Sequence, residues 1–331
     1  MNKKIILICP NKKVGSPANE RFLSYVKFFE SENFIVEVVD YPVGIIDEIF
    51  TLFKIILSFP HFIFISQPPF RFWMLFFIPF IRIILDIRDG WSVGIKSGYG
   101  GTVKPNFKKY ILVSLIESIM IKKSILTITC TFGLKNYLEE KYNKEVVFIP
   151  NGISSKNIQL IQNIHSTTYI NSGSLTFSCA GQFSEYGRDK AKKIIDVIGE
   201  RYKKYNCIIQ VIGANKEENA WIENYVLNYK NIEYRYIDRV DQVVLYQLLK
   251  ASNYALAIIR DPSYDYGTKI FEYVACELKV INYFSEPNNF TNYFDGCFDI
   301  NFKNHSGKIN KSIIREDAFL EFKENFERLR V

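Results

Sequence analysis

Residues 254–284, YALAIIRDPSYDYGTKIFEYVACELKVINYF, constrain the fold more than any other part of the chain. An apolar run (254–260) gives way to a polar loop, and an amphipathic stretch follows with Ile270, Phe271, Val274 and Ala275 on one side. A second apolar run fills 280–284. Strand, loop, helix, strand is the unit of a parallel sheet, because parallel strands need a crossover long enough to carry the chain back. In open α/β sheets ligands bind beyond the carboxyl ends of the strands. The loop there carries Tyr264, Asp265, Gly267, Thr268 and Lys269, and Glu272 lies one turn into the helix. Free N–H groups at a helix start beside an ammonium suit a phosphate, and a nearby carboxylate suits sugar hydroxyls. The chemistry fits a phosphorylated sugar or a nucleotide. The competing reading is a solvated Lys–Glu pair three residues apart, worth roughly 0.2–0.5 kcal/mol.

The same alternation runs through the rest of the chain. IILIC (5–9), IVEVVDY (35–41), HFIFIS (61–66), IRIILDI (81–87), SILTITC (124–130) and VVFIP (146–150) read as strands. Helical patterns at 20–30, 45–58, 107–123 and 131–142 lie between them. After a polar stretch at 153–174 the pattern resumes with strands at 175–181, 207–213 and 232–238 and a helix at 241–252. Strands alternating with helices predict an α/β chain of parallel sheets, and 331 residues suffice for two cores. The expected organisation is a Rossmann-like acceptor domain over 1–160, a linker at 161–174 and a second Rossmann-like domain over 175–314. A charged amphipathic helix at 315–331 would return to the first domain. Gly15 stands alone after the first strand, without GxGxxG, which disfavours a dinucleotide-dependent dehydrogenase.

Composition excludes some classes and leaves others. A net charge of +7 suits anionic partners, but no basic run or motif selects nucleic acid. The six cysteines are scattered without CxxC and read as reduced thiols, and the three histidines are too far apart for a metal site. No DxD occurs, so metal-dependent sugar transfer has no support, and neither metal nor cofactor is expected. MNKKIILICPN reads as a first strand rather than a signal peptide, and no stretch is long and apolar enough to span a membrane. The expected place is cytoplasmic, with peripheral contact at the inner face of the plasma membrane. Two elements invite that contact: the aromatic run 72–81, bracketed by Arg71 and Arg82, and the helical stretch 107–123 with its basic ends. The alternative for each is one apolar face packed on the sheet.

GTKIFEYVACELKVI (267–281) resembles the segment PTKLFEYLACGKPVI of bacterial glycosyltransferases of the large retaining GT-B group. LDIRDGW (85–91) is similar to their LDIRDLWP, and the run from SILTITCTFGLKNYL to VVFIPNGI to their ITVSEGLKEYL and VIPNGV. The resemblance implies a GT-B fold, two Rossmann-like domains facing across a cleft. It implies transfer of a sugar from a nucleoside-diphosphate donor to a hydroxyl of a lipid-linked oligosaccharide, for capsule or O-antigen. Glu272 would hold the donor ribose. Arg188, Lys190, Lys269 and the Gly267–Thr268 backbone would hold the diphosphate. Tyr264, with Asp265 beside it, stands where the family often has a second glutamate near the transferred sugar. Asp89 would orient or deprotonate the acceptor, with Gly15, Asp86 and Arg88 on the acceptor side; an Asp86–Arg88–Asp89 salt-bridge cluster is the structural alternative. The missing glutamate leaves inversion open beside retention. It also keeps in play a catalytically idle subunit that binds a membrane partner, and a UDP-sugar 2-epimerase, which shares the fold, is the other competitor.

Overall fold

The computed structural model describes residues 3–9, 17–42, 44–67, 71–164, 173–294 and 313–329. The chain divides into two compact units, one of Met1–Tyr99, Val103–Asn151 and Arg315–Val331, the other of Gly100–Thr102 and Gly152–Ile314.

The first unit runs β1 (Lys4–Cys9), α1 (Pro17–Ser31), β2 (Ile35–Asp40), α2 (Ile45–Leu57), β3 (Phe62–Gln67), a 3-10 turn (Trp73–Phe77) and β4 (Ile83–Ile87). It continues with α3 (Trp91–Ser97), α4 (Phe107–Lys123), β5 (Leu126–Thr129), α5 (Phe132–Tyr142) and β6 (Val147–Phe148). The sheet is parallel in the order β2-β1-β3-β4-β5-β6. Every residue of β3 and β4 is buried, as the largely apolar runs FIFIS and IILDI require of strands covered on both faces.

The second unit begins with α6 (Ser155–Asn163), β7 (Ser174–Ala180), α7 (Arg188–Arg201), β8 (Asn206–Ile212), α8 (Lys216–Asn219), α9 (Trp221–Tyr225) and β9 (Ile232–Ile237). It ends with α10 (Gln242–Lys250), β10 (Tyr254–Leu256), α11 (Lys269–Ala275), β11 (Lys279–Ile281) and α12 (Asn289–Tyr293). Its parallel sheet has the order β11-β10-β7-β8-β9. Ile194, Ile195 and Ile198 of α7 pack on Phe177, Ile209 and Val211 in its core.

Helix α13 (Arg315–Arg328) counts with the first unit. Phe319, Phe322 and Phe326, spaced i, i+3, i+7, share one core with Phe22, Tyr25 and Phe29 of α1. Arg315 Nε donates to the Asn151 carbonyl at 2.7 Å and ties the start of α13 to the end of the β6 loop.

Part of the polar stretch 153–174 is helical. Ser154 caps α6 by accepting from Asn157 N at 3.2 Å, Ile161 is buried, and Lys250 Nζ donates to the carbonyls of Ile161 and Ile164. A short helix with one buried isoleucine has too little periodicity to stand out in a polar stretch. Residues 165–172 lie outside the described ones. No helix among the described residues is long and apolar enough to cross a membrane.

Candidate functional site

Strand order decides where the second unit can hold a ligand. From β7 the chain steps outward to β8 and β9, then returns to the other side of β7 for β10 and β11. The loops leaving β7 and β10 therefore diverge, and the crevice between them is the topological switch point where α/β sheets bind ligands. The loop leaving β10 is the one singled out by sequence. The loop leaving β7 starts at Gly181, whose φ of +81° is open to glycine and costly for other residues. A Cβ at Gly181 would stand 4.0 Å from Lys269 Cγ, so the two loops face each other. Tyr273, fully buried in α11, holds them in register by accepting at its hydroxyl from Ala180 N at 2.8 Å.

Lys269 and Glu272 form the centre of this crevice. The ammonium donates to both carboxylate oxygens, at 3.0 and 2.9 Å. The lysine side chain is 38% exposed and the glutamate 15%, so the pair is sheltered yet reachable. Helix α11 has only seven residues and its N-cap Thr268 makes no side-chain cap bond. The charge of Lys269 therefore matters more here than the helix dipole, which sums over few peptide units. Gly267, at φ +63°, makes the turn into it.

Asp265 organises the loop from within. Its Oδ2 accepts from Arg260 Nε at 2.9 Å and its Oδ1 from Gly267 N at 3.0 Å. Tyr264 sits in the turn just before, its N–H donating to the Asp261 carbonyl at 3.1 Å. Lys190, in the first turn of α7, donates to the carbonyls of Ile259 and Arg260 at 3.1 and 2.7 Å and so ties α7 to the loop after β10. Burial pulls the Lys190 pKa below its usual value, against the pull of Asp261 and Asp265 in the other direction. Arg188 begins α7 after an N-cap glycine with no side-chain cap, and its guanidinium stacks 4.6 Å over Trp221. Lys190, Asp265, Gly267, Lys269 and Glu272 are thus gathered on the two facing loops, while Arg188 leans to the β8 side.

Sequence reading missed the carboxylate that fixes that side. Glu185 accepts from Phe183 N and Asn215 N, each at 2.8 Å, and from Asn219 Nδ2 at 3.1 Å, joining the loops after β7 and β8. Trp221 Nε1 donates to Ser184 Oγ at 3.0 Å in the same junction. A polar residue followed by aromatic Tyr186 gives no local hint of this, because its partners lie about thirty residues on.

In the first unit, Asp86 is 1% exposed and pairs with Arg21, also 1% exposed, at 2.8 Å. Ser66 Oγ donates to the same carboxylate at 3.1 Å. Arg21 also donates to the Ile149 carbonyl and the Tyr25 hydroxyl, at 2.6 and 3.0 Å. Burial alone would lower the Arg21 pKa, and the adjacent carboxylate reverses this to a net rise. The expected Asp86–Arg88–Asp89 cluster is corrected for Asp86, whose ion pair is with Arg21 of α1. The signal was available: Arg21 lies four residues before Tyr25 on the apolar face of its helix. Arg88 and Asp89 are half-buried past the end of β4, with Arg88 Nε donating to the Gln67 carbonyl at 3.2 Å. Gly15 lies outside the described residues. No three side chains of metal-ligating type cluster among the described residues.

No protein-family model matches the chain, and no curated protein does. Solved structures match over nearly its whole length. A glycosyltransferase from Rickettsia africae ESF-5 is similar with a TM-score of 0.60 at 14% identity, 99% of this chain covering 89% of that one. WaaG, a glycosyltransferase involved in lipopolysaccharide biosynthesis, gives 0.59 at 11% identity, with 97% and 90% covered. The chain has the GT-B fold. Members of that fold differ in chemistry: a UDP-GlcNAc 2-epimerase from Methanocaldococcus jannaschii is similar at a TM-score of 0.53 and 12% identity, with 97% and 92% covered. The β7/β10 crevice is the switch point of the second GT-B unit, and its chemistry has to be argued from its own residues.

Proposed function

We propose that this GT-B chain is a glycosyltransferase. It moves a sugar from a nucleoside-diphosphate donor to a hydroxyl of a lipid-linked oligosaccharide, in the synthesis of a bacterial surface polysaccharide such as capsule or O-antigen. The observation that carries the reading is the sheltered Lys269–Glu272 pair at the β7/β10 switch point. The donor's diphosphate takes Lys269, aided by Arg188, Lys190 and the Gly267–Thr268 backbone, and the freed Glu272 accepts from the ribose hydroxyls. Tyr264 lies beside the transferred sugar, and Asp265 keeps the loop in shape through Arg260 and Gly267. In the reaction the bond from the anomeric carbon to the diphosphate breaks with its electron pair going to the diphosphate. The acceptor oxygen bonds to that carbon, and its proton leaves to Asp89 in the case of direct displacement. Cations and aligned N–H groups stabilise the departing charge, which is the largest barrier either stereochemical course must lower.

A second reading, epimerisation of a UDP-sugar, is favoured by the epimerase among the similar structures. A thermal-shift screen of UDP, GDP, dTDP and CMP, each alone and with its sugar, tests both. A ligand at a hundred times its Kd stabilises the native state by about 2.7 kcal/mol, enough to raise Tm visibly. The expected result is a shift with one diphosphate that Glu272→Ala and Arg188→Ala reduce. No shift from any of them on folded protein would sink the donor site and favour an idle subunit. Conversion of a UDP-sugar in the absence of any acceptor would replace transfer by epimerisation.

A further inference from the structure

We infer that the first unit carries a membrane-docking face for anionic lipid, built from α2, the 3-10 turn and α4. This goes beyond the donor site and does not depend on it. Helix α2 presents Ile46, Phe50, Phe53 and Leu57 at i, i+4, i+7 and i+11, a regular apolar stripe. Such a stripe ordinarily faces a core. Here it faces outward, with Ile46 70%, Phe53 60% and Leu57 72% exposed, while Leu52 and Ile55 on the other side of the helix are buried. Helix α4 is apolar on two opposite faces. Val113, Met120 and Ile121 are buried, and Phe107, Ile111 and Leu115, one row at i, i+4 and i+8, are 75%, 54% and 59% exposed. Between the helices the 3-10 turn buries Leu75 and Phe76 and exposes Met74, Phe77 and, just beyond it, Phe80.

These three elements are neighbours in the first unit. The turn packs against α4, and Phe72 N, at its start, donates to Glu48 Oε1 of α2 at 2.9 Å. Exposed apolar rows on three neighbouring elements point to an interaction site. Charge selects the occupant. Lys104, Lys108, Lys109, Lys122 and Lys123 are exposed along 103–123, where the only acid, Glu117, is fully buried and bonded to Ser92 and Tyr142. A second copy of the chain laid symmetrically on this face would set these lysines against each other. A bilayer with anionic headgroups takes both features together: the side chains of Phe53, Leu57, Ile111 and Phe107 enter below the headgroups and the lysines meet the phosphates.

The test is co-sedimentation of the full chain with vesicles of phosphatidylglycerol mixed into phosphatidylcholine, against phosphatidylcholine alone. Binding is expected only to the anionic vesicles and falls as salt is raised. Removing one lysine charge weakens partitioning about fivefold, so Lys108→Gln with Lys109→Gln weakens it roughly 25-fold. Phe53→Ser weakens it by at least about tenfold, the loss expected for one buried phenyl ring. All three side chains are exposed, so these variants should melt as the parent does, and any nucleotide-induced shift should persist in them. Equal binding to neutral vesicles, or binding indifferent to both sets of substitutions, would overturn the inference. So would a dimer in sedimentation equilibrium that Phe53→Ser dissociates, because a second copy would then be the occupant.

Discussion

Arg21→Met is the substitution whose cost the structure fixes most directly. It leaves Asp86 1% exposed with Ser66 Oγ as its single remaining donor among the described residues, and removes the donors that the Ile149 carbonyl and Tyr25 hydroxyl use. Breaking a buried pair from one side costs about 3–5 kcal/mol, far more than the pair's net worth, because a desolvated charge is stranded. With an m-value of about 2 kcal/mol/M, a cost of about 4 kcal/mol lowers the urea midpoint by about 2 M. Asp86→Leu strands Arg21 instead, though Arg21 keeps three acceptors, the Ile149 and Pro150 carbonyls and the Tyr25 hydroxyl, so about 3 kcal/mol is expected.

The informative variant is the double one. Methionine and leucine together leave no charge in the core, and only neutral hydrogen bonds are lost. The double variant should then cost no more than Arg21→Met alone, a coupling of about 3 kcal/mol in a double-mutant cycle. Urea unfolding read by hydrogen exchange on peptides from α1, β4 and β6 reports the unit that holds the pair. If the double variant costs the sum of the singles, or if Arg21→Met costs under about 1 kcal/mol as a surface pair would, the reasoning is wrong.

Two further predictions concern the second unit. Glu185→Ala removes a carboxylate that accepts three hydrogen bonds, two of them from backbone N–H groups, and should cost about 2–3 kcal/mol. Faster hydrogen exchange confined to 183–185 and 213–219 would mark it, and unchanged exchange there would count against the role. Burial pushes the Cys179 and Cys276 thiols up to about 12 and Cys207 up to about 11. At pH about 8 under a thousandth of each is thiolate, so iodoacetamide should leave all three unlabelled in the native chain and label them in urea. Native labelling at any of the three, read by peptide mass, would contradict their burial.

What could be read from sequence was what is local in sequence. Most strands are short apolar runs and the longer helices have an apolar period, so the alternation that builds both sheets was visible without partners. The β10 loop was visible for the same reason: Gly267, Lys269 and Glu272 fall within six residues of one another. Contacts that bridge long separations were not. Arg21 meets Asp86 across 65 positions, and Lys190 meets the Ile259 and Arg260 carbonyls across about 70. Arg21's place on the apolar face of α1 hints at its burial, but neither member of a pair points to its partner. The apolar stripe of α2 failed differently. Periodicity shows that one side of a helix is apolar and says nothing of what covers it, so an outward stripe reads the same as a core one.

The pairing of Lys269 with Glu272 sets how the second unit can discriminate among anions. Both groups are satisfied by each other at 3.0 and 2.9 Å, so a phosphate that takes the ammonium leaves a carboxylate, 15% exposed, without its counter-ion. That cost opposes binding of any simple anion. It is recovered only if the same ligand brings donors to Glu272, which is the part the proposed function gives to the ribose hydroxyls. On the proposed donor site the pair is expected to act as a filter: pyrophosphate meets the penalty and a nucleoside diphosphate does not. Removing the carboxylate, as in Glu272→Ala, lifts the penalty and the recovery together. Affinity for the nucleotide falls while affinity for the bare anion rises, and this inversion separates a ribose-binding glutamate from one that merely shields a lysine.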